Sequence, residues 1–433
     1  MIRRSTLVLV LVMAVGCSSS KSGSSSAETT TSSTPAQSSA PAAPAPPPWR
    51  AQHRAKTLTS GGIHTCHITD KKTVECWGGD GLGQLGRGKV GGKSAKPLEV
   101  PDVANVKEIS SSSSSTHTCA ILEDGKELCW GHNDYGQVTS ETGSDREVMP
   151  KAVAMPTAPA AIMAIAGGSS HTCSIVADGK AYCWGIGADG QLGTGEPFLM
   201  GPPKPALVSE RLVSISAGGY RILGFSCAVS ELGKVFCWGG NTDGELGTGK
   251  AVEREKPKPP SAKTSADAPP PPLVLSPVVE VPEIEEVSSG MRGTCAVDRS
   301  GGVWCWGSVS PLINDPDNKI DNVPTPRKIE GISNAKQISV GAGGFACVVN
   351  AAGGVDCWGR NDSGQLGRKA DKSKLFPVAP VPGLTDVVEI AAGWTHVCAL
   401  KKDKSIVCWG DNEDGQLGNG GSKSTEVPTP IVR

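Results

Sequence analysis

The chain has 433 residues, with 42 Lys and Arg against 43 Asp and Glu, and a formal net charge of −1. That balance leaves no basic excess to hold a nucleic acid and no acidic block that would act as a tail. Fifty-five glycines, 33 prolines and only 4% aromatic residues, without helix-period apolar patterns, point to an all-β body of short strands and turns.

The N-terminus reads "MIRRSTLVLVLVMAVGC": Arg3 and Arg4, an apolar run from Leu7 to Val15, then small Gly16. The run is too short for an ordinary membrane span and has the form of a signal peptide over residues 1–16. "AVGC" resembles a bacterial lipobox, which makes Cys17 the expected lipidation site and mature N-terminus. Ala14 departs from the leucine usual in that motif, and a plain secretory signal cut near Gly16 is the alternative. Removing Arg3 and Arg4 with the signal takes the charge from −1 to −3. After Cys17, residues 18–48 are mostly Ser, Thr, Ala and Pro, which cannot bury enough apolar surface to fold, so 17–48 is set apart from the body. They read as a disordered tether, reaching up to roughly 90 Å at about 3 Å per residue.

Residues 49–433 form the body, and their cysteines organise it. Seven pairs share one spacing: Cys66 and Cys76, Cys119 and Cys129, Cys173 and Cys183, Cys227 and Cys237, Cys295 and Cys305, Cys347 and Cys357, Cys398 and Cys408. Each second cysteine precedes Trp-Gly, at Trp77, Trp130, Trp184, Trp238, Trp306, Trp358 and Trp409. Pairs start 51 to 54 residues apart, with one gap of 68, so the body is a seven-fold repeat. Within "HTCSIVADGKAYCWG" around Cys173, apolar and β-branched residues flank an Asp-Gly turn, a hairpin signal. Glycine stands six residues after the first cysteine at Gly125, Gly179, Gly233, Gly301 and Gly353. A three-residue loop ending in that glycine sets the two cysteines opposite each other, within disulfide reach. Lys72 and Lys404 occupy the position in repeats one and seven, which predicts a different turn there. Reduced core cysteines and zinc ligands are the competing readings, and zinc pairs are usually spaced two to four residues apart. Disulfides imply an oxidising compartment, in agreement with an exported chain.

Each repeat supplies four strands, as in 387–393, 396–402 and 405–410, followed after a long loop by a short Pro-led strand. The fourth strands fall at 97–100, 150–153, 205–208, 277–281, 326–329, 377–381 and 430–432. Four strands repeated seven times make a seven-bladed β-propeller, with one disulfide per blade and the tryptophans packed between blades. If each fourth strand completed the next blade, 430–432 would close the ring by filling blade one.

The repeats end in "GQLG" at 83–86, 190–193, 364–367 and 415–418, "GELG" at 244–247 and "GQVT" at 136–139. With the "HTC…DG…CWG" core, this resembles the repeat of the regulator-of-chromosome-condensation family over essentially all of 55–433. The resemblance implies the same seven-bladed propeller. The founding eukaryotic member is a nucleotide-exchange factor for a nuclear GTPase and binds chromatin, whereas some secreted bacterial members inhibit β-lactamases by capping them with one face. An exported lipoprotein without a basic arm is expected to meet neither GTPase nor nucleic acid.

Catalytic and cofactor motifs fail on context. "GLGQLG" (81–86) matches a dinucleotide-binding string but lies in a repeat tail, and "GGKS" (91–94) has Arg87 where a phosphate loop needs glycine. His64, His117, His171 and His396 recur two residues before the first cysteine, too far apart in different blades to share an ion, and each is expected to bond a neighbouring backbone group. No catalytic residue, metal or cofactor is expected. The irregular loops are more informative: Tyr220–Leu223 and 250–276 in repeat four, Met291-Arg292 and 308–322 in repeat five, and Trp394 in repeat seven. All join first to second or third to fourth strands and so share one face of the disc. Tyr220, Arg221, Arg292 and Trp394 are the candidate partner-binding residues. The resulting reading is a monomeric, non-enzymatic propeller in the bacterial cell envelope, in contact with the membrane through its lipid only, that binds a protein or glycan there. The alternatives are an inhibitor of an exported enzyme, and an enzyme whose carboxylates or histidines converge on the propeller axis.

Overall fold

The computed structural model describes residues 50–139, 151–152, 161–196, 203–252, 276–309, 311–313 and 322–433. The signal peptide, Cys17, the 17–48 tether and most of the 250–276 and 308–322 loops lie outside the described residues. The described residues form seven four-stranded antiparallel sheets and contain no helix. In blade one these are β1 (Leu58–Ser60), β2 (His64–Ile68), β3 (Val74–Gly79) and β4 (Lys93–Glu99), hydrogen-bonded in that order. Every other blade is likewise built from four consecutive strands of one repeat. The first strands pack against one another around the axis, so they are innermost.

The hairpin signal sets the register. Each cysteine pair sits directly opposed on the second and third strands, with Cα atoms 4.1 Å apart. One disulfide closes per blade, as the spacing predicts. Cys66 bonds to Cys76, Cys119 to Cys129, Cys173 to Cys183 and Cys227 to Cys237. Cys295 bonds to Cys305, Cys347 to Cys357 and Cys398 to Cys408. No disulfide among the described residues joins one blade to another, so the bonds clamp hairpins and leave the seams to noncovalent contacts. The turn carries glycine at positive φ, as at Gly179 (φ 84°). Repeats one and seven do not differ, contrary to expectation. Lys72 and Lys404 take the same left-handed conformation (φ 59° and 65°), and their amides donate to Thr69 and Lys401 just as Gly179 donates to Val176. The tertiary fold imposes on these lysines a conformation that L-residues visit at a cost.

All seven repeat tryptophans are fully buried. Each indole N–H donates across a blade seam to a backbone carbonyl of the preceding blade, at 2.8–3.1 Å: Trp130 to Gln84, Trp184 to Gln137, Trp238 to Gln191, Trp306 to Glu245, Trp358 to Leu312, Trp409 to Gln365 and Trp77 to Gln416. This explains the repeat tail. The Gln84 side chain accepts from Leu82 N–H, and Asp80 accepts from Leu85 N–H, so the turn is held with its carbonyl aimed at the next tryptophan. Gln191, Gln365 and Gln416 do the same in their blades.

The four histidines span the same seams, but their Nε2 partners are hydroxyls of the next blade rather than backbone groups. His64 meets Thr118, His117 meets Thr172, His171 meets Ser226 and His396 meets Thr65, at 2.8–2.9 Å. Burial pulls their pKa values down, to about 3 for His64, His117 and His396 and about 4 for His171.

Ring closure also differs from the expectation. The last strand, Thr425–Pro430, pairs with Ile406–Gly410 of its own repeat, so no blade is composite. The seam between blades seven and one is closed by the Trp77 and His396 bonds and by the segment that precedes β1.

Candidate partner-binding face

Blade four has the longest inner hairpin. Its first strand runs Leu212–Tyr220 and its second Leu223–Ser230, nine and eight residues. The tip is Arg221-Ile222, with Arg221 at φ 55°. Arg221 carbonyl accepts from the Ser169 and Ser170 hydroxyls of blade three, which holds the tip in place. Trp394 follows the inner strand of blade seven and is fixed through its backbone. Its N–H donates to Gly62 at 3.1 Å and its carbonyl accepts from Gly343 at 2.7 Å. The Tyr220 and Trp394 rings meet edge to face, centroids 6.0 Å apart, and the Arg221 guanidinium lies 5.3 Å from the Tyr220 centroid. Inner strands of blades four and seven lie apart on the ring, so this contact bridges the axial mouth.

Arg292 lies on the same face in blade five, half exposed, with Asp243 of blade four at 3.4 Å. All four residues singled out in the sequence therefore gather around one mouth. Beside Trp394 a groove of about 440 Å³ runs between blades five, six and seven, lined by Met291, Arg292, Val309, Leu312 and Arg360. The sequence reading missed Arg360. Its signal was available: it follows "CWG" directly, where the other blades carry Gly79, His132, Ile186, Gly240, Ser308 and Asp411. Beneath Arg292, Glu245 replaces the usual tail glutamine, and burial raises its pKa to about 7.

The opposite mouth is filled by residues 50–57. Arg50 pairs with Glu231 at 2.7 Å, and Ala51 N–H donates to Glu231 carbonyl, both in blade four. His53 Nε2 lies 2.6 Å from Glu108 of blade two. Arg54 donates to the carbonyls of Lys336 and Val388 in blades six and seven. Lys56 stands 3.9 Å from Glu286 of blade five. Glu389 of blade seven accepts from the Thr57 N–H, the Thr57 hydroxyl and the Leu58 N–H, at 2.6–3.1 Å. Glu108, Glu286 and Glu389 hold one position on three inner strands, so three carboxylates do converge on the axis, which the sequence reading did not place. Burial raises the pKa values of Glu286 and Glu389, opposed by Lys56 and by the Thr57 bonds respectively. The cavity between residues 50–57 and the inner strands has a volume of about 70 Å³. That is well below the roughly 300–1,000 Å³ of small-molecule pockets, and the glutamates are engaged by the chain's own N-terminal segment.

A seven-bladed ring whose every blade is one disulfide-clamped repeat defines a repeat-built β-propeller. Two models described as the regulator of chromosome condensation (RCC1) repeat match the chain, one at 106–137, 163–191, 212–245 and 387–416, the other at 233–297, 352–400 and 405–432. The chain belongs to the RCC1-repeat family. It is 27% identical over 388 residues to human E3 ubiquitin-protein ligase HERC2, covering 87% of this chain but 7% of that protein. It is 30% identical over 268 residues to the Arabidopsis thaliana ultraviolet-B receptor UVR8, covering 60% of this chain and 55% of the receptor. It is 29% identical to the Saccharomyces cerevisiae guanine nucleotide exchange factor SRM1, over 55% of this chain and 54% of that protein. Among solved structures, Prp20p from Saccharomyces cerevisiae superposes with a TM-score of 0.70 at 20% identity, over 88% of each chain. Human WBSCR16 superposes at 0.67 and 18% identity, over 83% of this chain and 95% of that one. At these identities the superpositions show the fold alone.

Proposed function

We propose that this protein is a non-enzymatic binding scaffold whose contact surface is the face around Tyr220, Arg221, Arg292 and Trp394. The observation that carries the reading is the Tyr220–Trp394 contact across the axial mouth, with exposed guanidiniums around it. Aromatic and arginine side chains on rigidly seated loops are the usual anchors of protein interfaces. Solved relatives are described as bound to other proteins: yeast RCC1 (Prp20) to Kap60, and Prp20p in its binding to Gsp1p and histones. The exchange and ligase activities named for SRM1 and HERC2 belong to proteins of which this chain spans about half and 7%.

Seven buried disulfides favour an oxidising compartment. With the 1–16 leader and Cys17 they support an exported, lipid-anchored protein whose partner is a protein or glycan of the cell envelope rather than a nuclear GTPase. The chain enters the body beside Glu231 on the far side, so the proposed face looks away from that entry point. The test is affinity capture from envelope extract with the 49–433 body and with single alanine variants at the four residues. Loss of the captured partner in two or more folded variants is the expected result. Capture unchanged in all four would move the site off this face.

A further inference from the structure

We infer that the groove between blades five, six and seven is a recognition site for an extended peptide segment carrying a carboxylate side chain beside a bulky apolar one. The inference rests on the binding-face reading and gives that face a ligand chemistry. The groove's volume of about 440 Å³ suits a few side chains. Its floor is apolar, with Val309, Leu312 and Val340 all nearly fully buried, and the Trp394 ring closes one end. Its walls carry two guanidiniums, Arg292 from blade five and Arg360 from blade six, with side chains 48% and 50% exposed.

Neither arginine is firmly engaged. Arg292 lies 3.4 Å from Asp243 and Arg360 lies 3.6 Å from Asp362, beyond the roughly 2.7–2.9 Å of a tight charge-assisted hydrogen bond. A guanidinium held this loosely can turn its fork to an incoming carboxylate; the side chains it leaves, Asp362 and Asp243, are 31% and 17% exposed, and Asp243 has a further interaction of its own. Glycines form the remaining wall. A Cβ at Gly343 would lie 2.5 Å from the Trp394 carbonyl, so the backbone there can stay close to Trp394 and leave the groove open only as glycine. A nucleic acid is disfavoured. Phosphate chains need a track of several cations, and here Asp362 shares the wall with Arg360 in a chain of net charge −1.

The test is selection of phage-displayed twelve-residue peptides on the full-length protein. The consensus peptide is then titrated against wild type and against Arg292→Ala, Arg360→Ala, Arg360→Lys, Tyr220→Ala and Arg221→Ala, with melting temperatures checked. The expected consensus places Asp or Glu next to Leu, Phe or Trp. Affinity should fall about tenfold or more in each arginine-to-alanine variant at the groove. It should recover in part with lysine, which keeps the charge but not the fork, and weaken with added salt. A consensus without acidic residues, unchanged affinity in both Arg292→Ala and Arg360→Ala, or no peptide above background overturns the inference. Peptides that need Tyr220 and Arg221 but neither groove arginine would sink the groove and leave the face standing. Peptides indifferent to every variant would sink both.

Discussion

The indole N–H of Trp77 donates to the backbone carbonyl of Gln416 at 2.9 Å, joining the first blade to the last. The same bond recurs at every other seam, but those seams are also crossed by the chain itself. Here the noncovalent contacts act alone, and residues 50–57 reinforce them by lacing the inner strands together at the axis.

This predicts how the ring fails. Glu389→Ala would leave the Thr57 and Leu58 amides without their carboxylate, which should cost about 2–3 kcal/mol in all. Deleting residues 431–433 removes two backbone hydrogen bonds, from Ile431 to Ile406 and from Val432 to Gly418, and the exposed Arg433–Glu75 pair; water can replace these at the chain end, so the deletion should cost less. Thermal unfolding of the two variants decides. The reverse order would mean that the C-terminus, not the N-terminal segment, secures the ring.

Acid should loosen all histidine-bearing seams together. Neutral His64, His117, His171 and His396 have folded pKa values of about 3 to 4, below the unfolded 6.5. The unfolded chain therefore binds more protons between pH 6.5 and 3, and stability falls as pH drops through that window. The melting temperature should decline by many degrees from pH 7 to pH 4. His117→Gln and His171→Gln should each flatten the decline. An unchanged slope in both would show that the histidines do not control it.

Glu127 works in the opposite direction. It is buried with no hydrogen-bond partner for either oxygen among the described residues, and burial raises its pKa to about 8. The folded state holds this proton more tightly than the unfolded one, so the contribution is favourable below about pH 4.5 and is lost as pH rises to 8. Glu127→Gln should raise the melting temperature at pH 8 by several degrees and leave it nearly unchanged at pH 5. Equal effects at both pH values would refute a buried titrating carboxyl.

Position 72 tests the turn. Lys72 sits at φ 59° where most repeats carry glycine. Lys72→Gly should be more stable than Lys72→Ala by about 1 kcal/mol, since both lose the exposed ion pair with Glu123 and only glycine is free of the left-handed penalty. Denaturant titration of the pair measures it. Equal stabilities would mean that the turn relaxes.

Cys17 tests the anchor. Cys17→Ser should shift the protein from the membrane to the soluble fraction without changing its melting temperature, because the sequence assigns Cys17 to the leader and tether rather than to the 49–433 body. Retention in the membrane fraction would exclude lipidation at that residue.

What the sequence by itself determined was local. A ten-residue offset between cysteines, a turn residue between them and Trp-Gly after them specify a hairpin whose partners are neighbours along the chain, and seven copies specify the ring. The face of Tyr220, Arg221, Arg292 and Trp394 was legible for the same reason, because strand order decides on which side a loop emerges. Only the tertiary structure decided which blade receives each fourth strand, that Tyr220 touches Trp394, that Arg360 joins Arg292 at one groove, and that Glu108, Glu286 and Glu389 converge on residues 50–57. Those contacts join residues tens to hundreds of positions apart. No local periodicity encodes them; they exist once seven blades close into a ring and bring the inner strands to a common axis.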